Sequence, residues 1–301
     1  MDWSLVGSEY ASHLTDADLR LLASVADAPE GTGQMSGATG PAEASSLRGD
    51  PAALLRLLEH PGVFRAVVGP GETAHGLAVP ASPFLVFAVF VQRAAAELAS
   101  MDHVPERTGP GQRVPVFDAP ALRDFLGEPA RRLFLAELLA SFTRVASGRY
   151  RVGGGGRMRT RRFSELDPVR LAGLLEAVPQ AERPGVYRRL GDVTLFLTGV
   201  FPDYATAHAL GPVNAARLLR AAQMPASQQD SLAGTPVIEL LEYLGARWYR
   251  AARDLAPVAT ARVTVVGDVA DRFRQARRVL NHLADRYLLS PDKPWFAKPG
   301  F

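Results

Sequence analysis

Apolar residues along this chain recur mostly at helical spacing, and Pro/Gly-rich or polar stretches separate the recurrences. Thr15 heads a short amphipathic run with Leu19, Leu22 and Val25 on one face, which predicts a helix over 15–27. Residues 28–49 carry almost nothing to bury and predict a flexible linker behind an N-terminal segment, 1–27. Asp50-Pro51 then opens "PAALLRLLEH", an aspartate cap followed by proline at the first helical position. From Ser82 to Met101 the opening turns are apolar all round, which predicts a helix buried over most of its circumference. Its apolar part, Ala81 to Val91, ends at Gln92-Arg93 and is too short to span a bilayer.

The second half repeats the pattern. "PERTGPGQRVPVF" reads as another linker-like loop before Asp118 and a short helix. Pro129 opens a longer helix that spaces Phe134, Leu135, Leu138, Phe142 and Val145 on its buried side. Asp167-Pro168, "GVYRRLGDVTLFLTGVF", "GPVNAARLLRAAQM" and the stretch behind Thr235-Pro236 mark further helices. "ARVTVVGD" is ambiguous and fits a short strand, and 269–289 fits one continuous helix. The expected fold is all-α: a multi-helix bundle-like domain over 50–301 with one small β-hairpin insert at about 149–162.

That hairpin is where the polar pattern changes the picture. "GRYRVGGGGRMRTRRF" alternates with period two around four glycines. With a five-residue loop, Gly153 to Arg157, Arg149, Arg151, Arg157, Arg159 and Arg161 fall on one outward face. Tyr150, Val152 and Met158 fall on the other. Arginines opposite one another repel, and an anion relieves that cost. The chain's formal net charge is only +3, yet the six arginines from Arg149 to Arg162 carry +6, so the remainder is −3. Lys293 and Lys298 are the only lysines, a composition that also suits a GC-rich coding bias. The five hairpin arginines are therefore the candidate contact for an anionic partner: nucleic acid first, an acidic protein or small phosphorylated ligand next. The helix after Asp167 is poor in polar residues, which argues against base readout.

The central segment Tyr187–Tyr204 places Asp192 among apolar residues, one turn after Arg188 and Arg189. A buried carboxylate must be paired or protonated, so an acid–arginine clamp is expected there. Gly191 and Gly199 mark places where a neighbouring helix approaches closely. The alternative reading is an enzyme with an inter-helix pocket around Asp192, Tyr204 and His208; a third is an oligomeric scaffold built on the helix seams. Four blocks, Pro83–Ala94, Leu138–Val145, Arg188–Asp203 and Ala276–Leu289, resemble a family of uncharacterised helical bacterial proteins of actinobacterial type. The resemblance implies a helical bacterial protein and brings no activity or catalytic residue with it.

Other chemistry leaves few traces. There is no cysteine, which excludes disulfides and thiolate chemistry. "GPGETAHG" lacks the Gly-Lys-Ser/Thr of a phosphate loop, and no Gly-x-Ser-x-Gly elbow occurs. Glu72 and His75 form one Glu-x-x-His pair in a loop, where a di-metal bundle needs two on helices. Glu239 and Glu242 fit a solvated helix face, and His282 and Arg286 fit a contact one turn apart. No metal and no cofactor are expected. The N-terminus has no signal-peptide pattern, so a cytoplasmic protein without a membrane partner is expected.

Overall fold

The computed structural model describes residues 3–26, 47–68, 81–109, 112–154, 157–207, 211–289 and 295–296. The expected linker and the Glu72/His75 pair lie largely or wholly outside these residues, as does His208. The fold is all-α with small β inserts, and the chain divides into two compact units: 1–101 with 123–143, and 102–122 with 144–301. The sequence reading placed the domain boundary elsewhere, at residue 50.

In the first unit, helices α1 (Trp3–Ala11), α2 (Asp16–Ala26), α3 (Pro51–Glu59), α4 (Pro61–Val68) and α5 (Pro83–Leu98) pack with α7 (Pro129–Ser141). Thr15 and Asp18 cap α2 reciprocally: Thr15 Oγ1 accepts from the Asp18 N–H at 3.1 Å, and Asp18 Oδ2 accepts from the Thr15 N–H at 2.8 Å. Asp18 is fully buried, and its other oxygen accepts from the N–H of Ser82 at 2.8 Å. Ser82 in turn caps α5. One carboxylate thus ties the starts of two helices. Every residue of α5 from Phe84 to Gln92 is buried, as the apolar run predicts. Among the described residues no helix is long and apolar enough to cross a membrane.

The second unit centres on α9 (Arg183–Val200) and α13 (Val237–Asp254), which pack along their lengths. Around them, in chain order, are strands β1 (Val104–Gly109) and β2 (Gln112–Val116), the start of α6 (Ala119–Gly127), and strands β3 (Ser147–Gly154) and β4 (Arg157–Ser164). Helices α8 (Pro168–Ala172), α10 (Pro202–Ala207), α11 (Pro212–Ala221), α12 (Ala226–Ala233), α14 (Ala261–Asp271) and α15 (Phe273–Leu283) complete the unit. Gly191 and Gly199 do permit close approach, but to two different helices. A Cβ on Gly191 would lie 2.3 Å from the Tyr249 ring on α13, and one on Gly199 would lie 2.6 Å from Leu280 on α15.

Three local expectations are corrected. "PERTGPGQRVPVF" is largely a second antiparallel hairpin, β1–β2, pairing Glu106 with Val114 and Arg107 with Arg113. It is fastened by charge rather than by an apolar face. Glu106 accepts from Arg277 and Arg278, Arg107 and Arg113 both bond Asp285, and the Arg107 N–H reaches Asn281 Oδ1 at 3.2 Å. "ARVTVVGD" is helical: Thr260 caps α14, and Val265, Val266 and Val269 are buried on one side, so tertiary packing overrides β-branched propensity. The expected continuous helix 269–289 breaks at Arg272, whose φ of −121° and ψ of 31° leave the helical region before Phe273 starts α15.

Candidate anion-binding cleft

The arginine hairpin does not have the expected register. Tyr150 pairs with Arg161, Arg149 with Arg162, Arg151 with Thr160, and Gly154 with Arg157, leaving two residues between the strands. Two-residue connections are the commonest hairpin closures, and that geometry outweighs the segregation of arginines to one face. A one-residue slip moves each pair to the other face. Arg161 therefore shares a face with Tyr150, while Arg149 and Arg151 stand on the opposite face, exposed. The side chains of Arg157 and Arg159 lie outside the described ones.

Tyr150 docks the hairpin. A Cβ on Gly173 would lie 2.6 Å from its hydroxyl, so the phenol reaches the bare backbone of Gly173. Phe163 sits 6.5 Å from Tyr150, ring to ring, and covers Gly148 on the same face. This contact sets β4 beside α8, whose start Asp167 caps by accepting from the N–H groups of Val169 and Arg170.

Between the hairpin and the helices lies a cleft of about 830 Å³. Arg161 and Arg162 come from β4, Arg170 from α8, Arg183 and Tyr187 from the first turns of α9, and Arg217 and Arg220 from α11. Among the described residues its lining holds six arginines and one acidic residue, Glu176; Arg162, paired with Arg149 across the hairpin, belongs to the opposite strand face from Arg161. Arg161 pairs with Glu176 at 2.8 Å and Arg170 with Asp167 at 3.0 Å; each pair is largely exposed at the arginine and weak in water. Among the described residues Arg162, Arg183, Arg217 and Arg220 have no carboxylate partner. The Nε of Arg183 is buried without a hydrogen bond. Concentrating guanidinium groups in a concave site raises the local positive potential and favours a multiply charged anion.

One strained residue borders the cleft. Gln223, just past α11, has φ of 56°, the left-handed conformation usually left to glycine. The N–H of Met224 bonds back to Leu219, and Arg247 donates to the carbonyls of Ala222 and Gln223, so the turn is held from both sides. The Gln223 amide donates to the Tyr187 hydroxyl at 3.1 Å.

The remaining candidates fall elsewhere. Asp192 is buried, accepts from the Tyr249 hydroxyl at 2.8 Å, and has Arg188 Nε at 3.6 Å. Burial, and then the neighbouring Asp192, push the Tyr249 hydroxyl well above its usual titration range. Arg189, the other expected clamp, bonds Glu165 at 3.1 Å. Tyr204 is half-buried, and its hydroxyl is raised by burial and then by Asp167. Neither Asp192 nor Tyr204 lines the arginine cleft or the cavities next to α13. Comparison with protein-family models, curated proteins and solved structures found no match to this chain. Glu242 corrects the expectation of a solvated face: it is buried and bonded to Arg274 and Arg277, while Glu239 is exposed. His282 is buried and Arg286 exposed. Among the described residues no group of three or more histidine, aspartate or glutamate side chains is placed to hold a metal ion.

Sequence reasoning found Arg161 but not Arg162, Arg170, Arg183, Arg217 or Arg220 as one site. These residues span four elements, and no local spacing relates them.

Proposed function

We propose that this protein is a binding module that holds a phosphate-bearing partner in the arginine cleft, with single-stranded nucleic acid the first candidate. The observation that carries the reading is the convergence of six arginines from β4, α8, α9 and α11 on one concave site, four of them without a carboxylate partner among the described residues. Guanidinium forks match phosphate oxygens in geometry as well as charge. A cleft of about 830 Å³ has the size of small-ligand sites, and its concavity suits a strand or nucleotide better than the convex face of a duplex. The hairpin then serves as one wall of the site rather than as a protruding finger.

The test is fluorescence anisotropy of a labelled single-stranded oligonucleotide at several salt concentrations. Affinity should fall with salt at a slope of about −0.7 per phosphate neutralised. Replacing Arg183, Arg217 and Arg220 by alanine should flatten the slope and weaken binding at least about tenfold, while replacing Arg149 and Arg151 should change little. Equal binding by wild type and the triple variant would refute the reading. Tighter binding of polyglutamate than of an oligonucleotide of equal charge would transfer the cleft to an acidic protein.

A further inference from the structure

A second cavity, of about 330 Å³, adjoins the arginine cleft and shares Tyr187 and Gln223 with it. Its chemistry is different. Tyr187, Tyr243 and Trp248 border the cavity; Tyr187 and Trp248 are buried, so Tyr243 supplies the open aromatic face. Its two arginines are already engaged: Arg247 holds the carbonyls of Ala222 and Gln223, and Arg250 bonds Asp271 at 3.0 Å. Asp254 adds a carboxylate whose Oδ1 accepts from Arg253 at 2.8 Å and whose Oδ2 can accept from the N–H groups of a ligand. Tyr243 is 40% exposed, and its hydroxyl is tethered to Met224 Sδ at 3.5 Å, so a partly open ring is held in place. Trp248 is fully buried, and its indole N–H has no hydrogen-bond partner among the described residues.

One compartment therefore gathers six guanidinium groups around one carboxylate, and the next sets the open ring of Tyr243 beside Asp254 and two arginines that are hydrogen-bonded within the protein. The Gln223–Tyr187 hydrogen bond stands where the two meet, on a residue whose backbone is held in a costly conformation. A phosphorylated ligand with a planar, hydrogen-bonding ring matches this division. Aromatic side chains bind bases through stacking, and amide and carboxylate groups read the ring edges. We infer that the second cavity receives a nucleobase, so that the ligand is a nucleotide unit with its phosphates in the arginine cleft. The inference rests on the anion-binding reading above and adds the ring to it.

Calorimetric titration of the full chain with three probes separates the two claims: inorganic tripolyphosphate, a set of nucleoside 5′-triphosphates, and the same nucleosides without phosphate. At least one nucleotide should bind about tenfold or more tighter than tripolyphosphate, and its nucleoside should bind weakly. Tyr243→Ala should remove that advantage without altering tripolyphosphate binding, and Tyr243→Phe, which keeps the ring, should restore it. Arg217→Ala should weaken the nucleotide and tripolyphosphate alike. If tripolyphosphate binds as tightly as every nucleotide and Tyr243→Ala is silent, the nucleobase assignment falls while the anion cleft stands. If neither tripolyphosphate nor any nucleotide binds, both readings fall. Given a nucleotide advantage that depends on Tyr243, a short oligonucleotide of matched charge that binds tighter than the mononucleotide assigns the cavity to a base within a strand. The reverse order assigns it to a free nucleotide, and both orders support the inference.

Discussion

The Tyr249 hydroxyl donates to Asp192 across 2.8 Å, joining the middle of α9 to α13 inside the second unit. Both side chains are buried, and Arg188 stands further off, at 3.6 Å. Tyrosine, rather than an arginine clamp, is thus the closer partner of this carboxylate. Asp192→Ala removes the acceptor of a fully buried hydroxyl and should cost about 1–3 kcal/mol in urea unfolding. Asp192→Asn keeps an oxygen for Tyr249 and should cost less. Equal stability of the wild type and the alanine variant would show that the hydrogen bond contributes nothing net.

The same contact sets an alkaline limit on stability. Burial raises the Tyr249 hydroxyl above its ordinary value of 10.0, so the fold holds the proton more tightly than the unfolded chain does. This contribution is complete below that ordinary value and is lost as pH rises beyond it, since the unfolded chain then ionises first. Tyr204 contributes in the same direction. The urea midpoint should therefore fall above about pH 10, and less steeply in Tyr249→Phe. Identical alkaline profiles for the two proteins would contradict the assignment.

Gly191 and Gly185 lie on the same helix and should respond oppositely to alanine. A Cβ on Gly191 meets the Tyr249 ring at 2.3 Å, an overpacking that should cost about 1–3 kcal/mol or more. At Gly185 nothing lies within 4 Å, so alanine should stabilise α9 by up to about 1 kcal/mol. Thermal melts of the two single variants decide the matter by their sign.

Gln223 should show a trade between stability and binding. Glycine relieves the left-handed backbone at φ 56°, worth about 1 kcal/mol, and deletes the hydrogen bond to Tyr187. Gln223→Gly should therefore melt at the same or a higher temperature while binding nucleotide more weakly. A variant that is both more stable and unchanged in affinity would make the strain a matter of local turn geometry alone.

Much of the helical architecture was legible because it is local. Thr15, Asp50, Ser82, Asp167 and Thr260 all accept from backbone N–H groups at helix starts, and four of the five were readable as caps or starts from the residues that follow them. Thr260 was missed because its valine-rich helix has strand-like composition. The β1–β2 hairpin was missed because its pairing is stabilised by Arg107, Arg113 and Glu106 reaching Asp285, Arg277 and Arg278 more than 170 residues away, which no local pattern encodes.

The chain by itself determined an all-α fold, a deeply buried α5, a glycine-turned arginine hairpin and an acid buried in α9. Each follows from periodicity, capping or turn chemistry within a few residues. Tertiary structure alone decided which partners those groups meet. Tyr249 took Asp192 because Gly191 lets its ring approach, and the short connection between β3 and β4 turned Arg161 toward Tyr150. The docking of Tyr150 against Gly173 then set β4 beside α8, in a cleft that also takes arginines from α9 and α11. A binding site assembled from side chains on four elements depends on packing at long sequence separation, and hydrophobic periodicity specifies which face is buried without specifying what it is buried against.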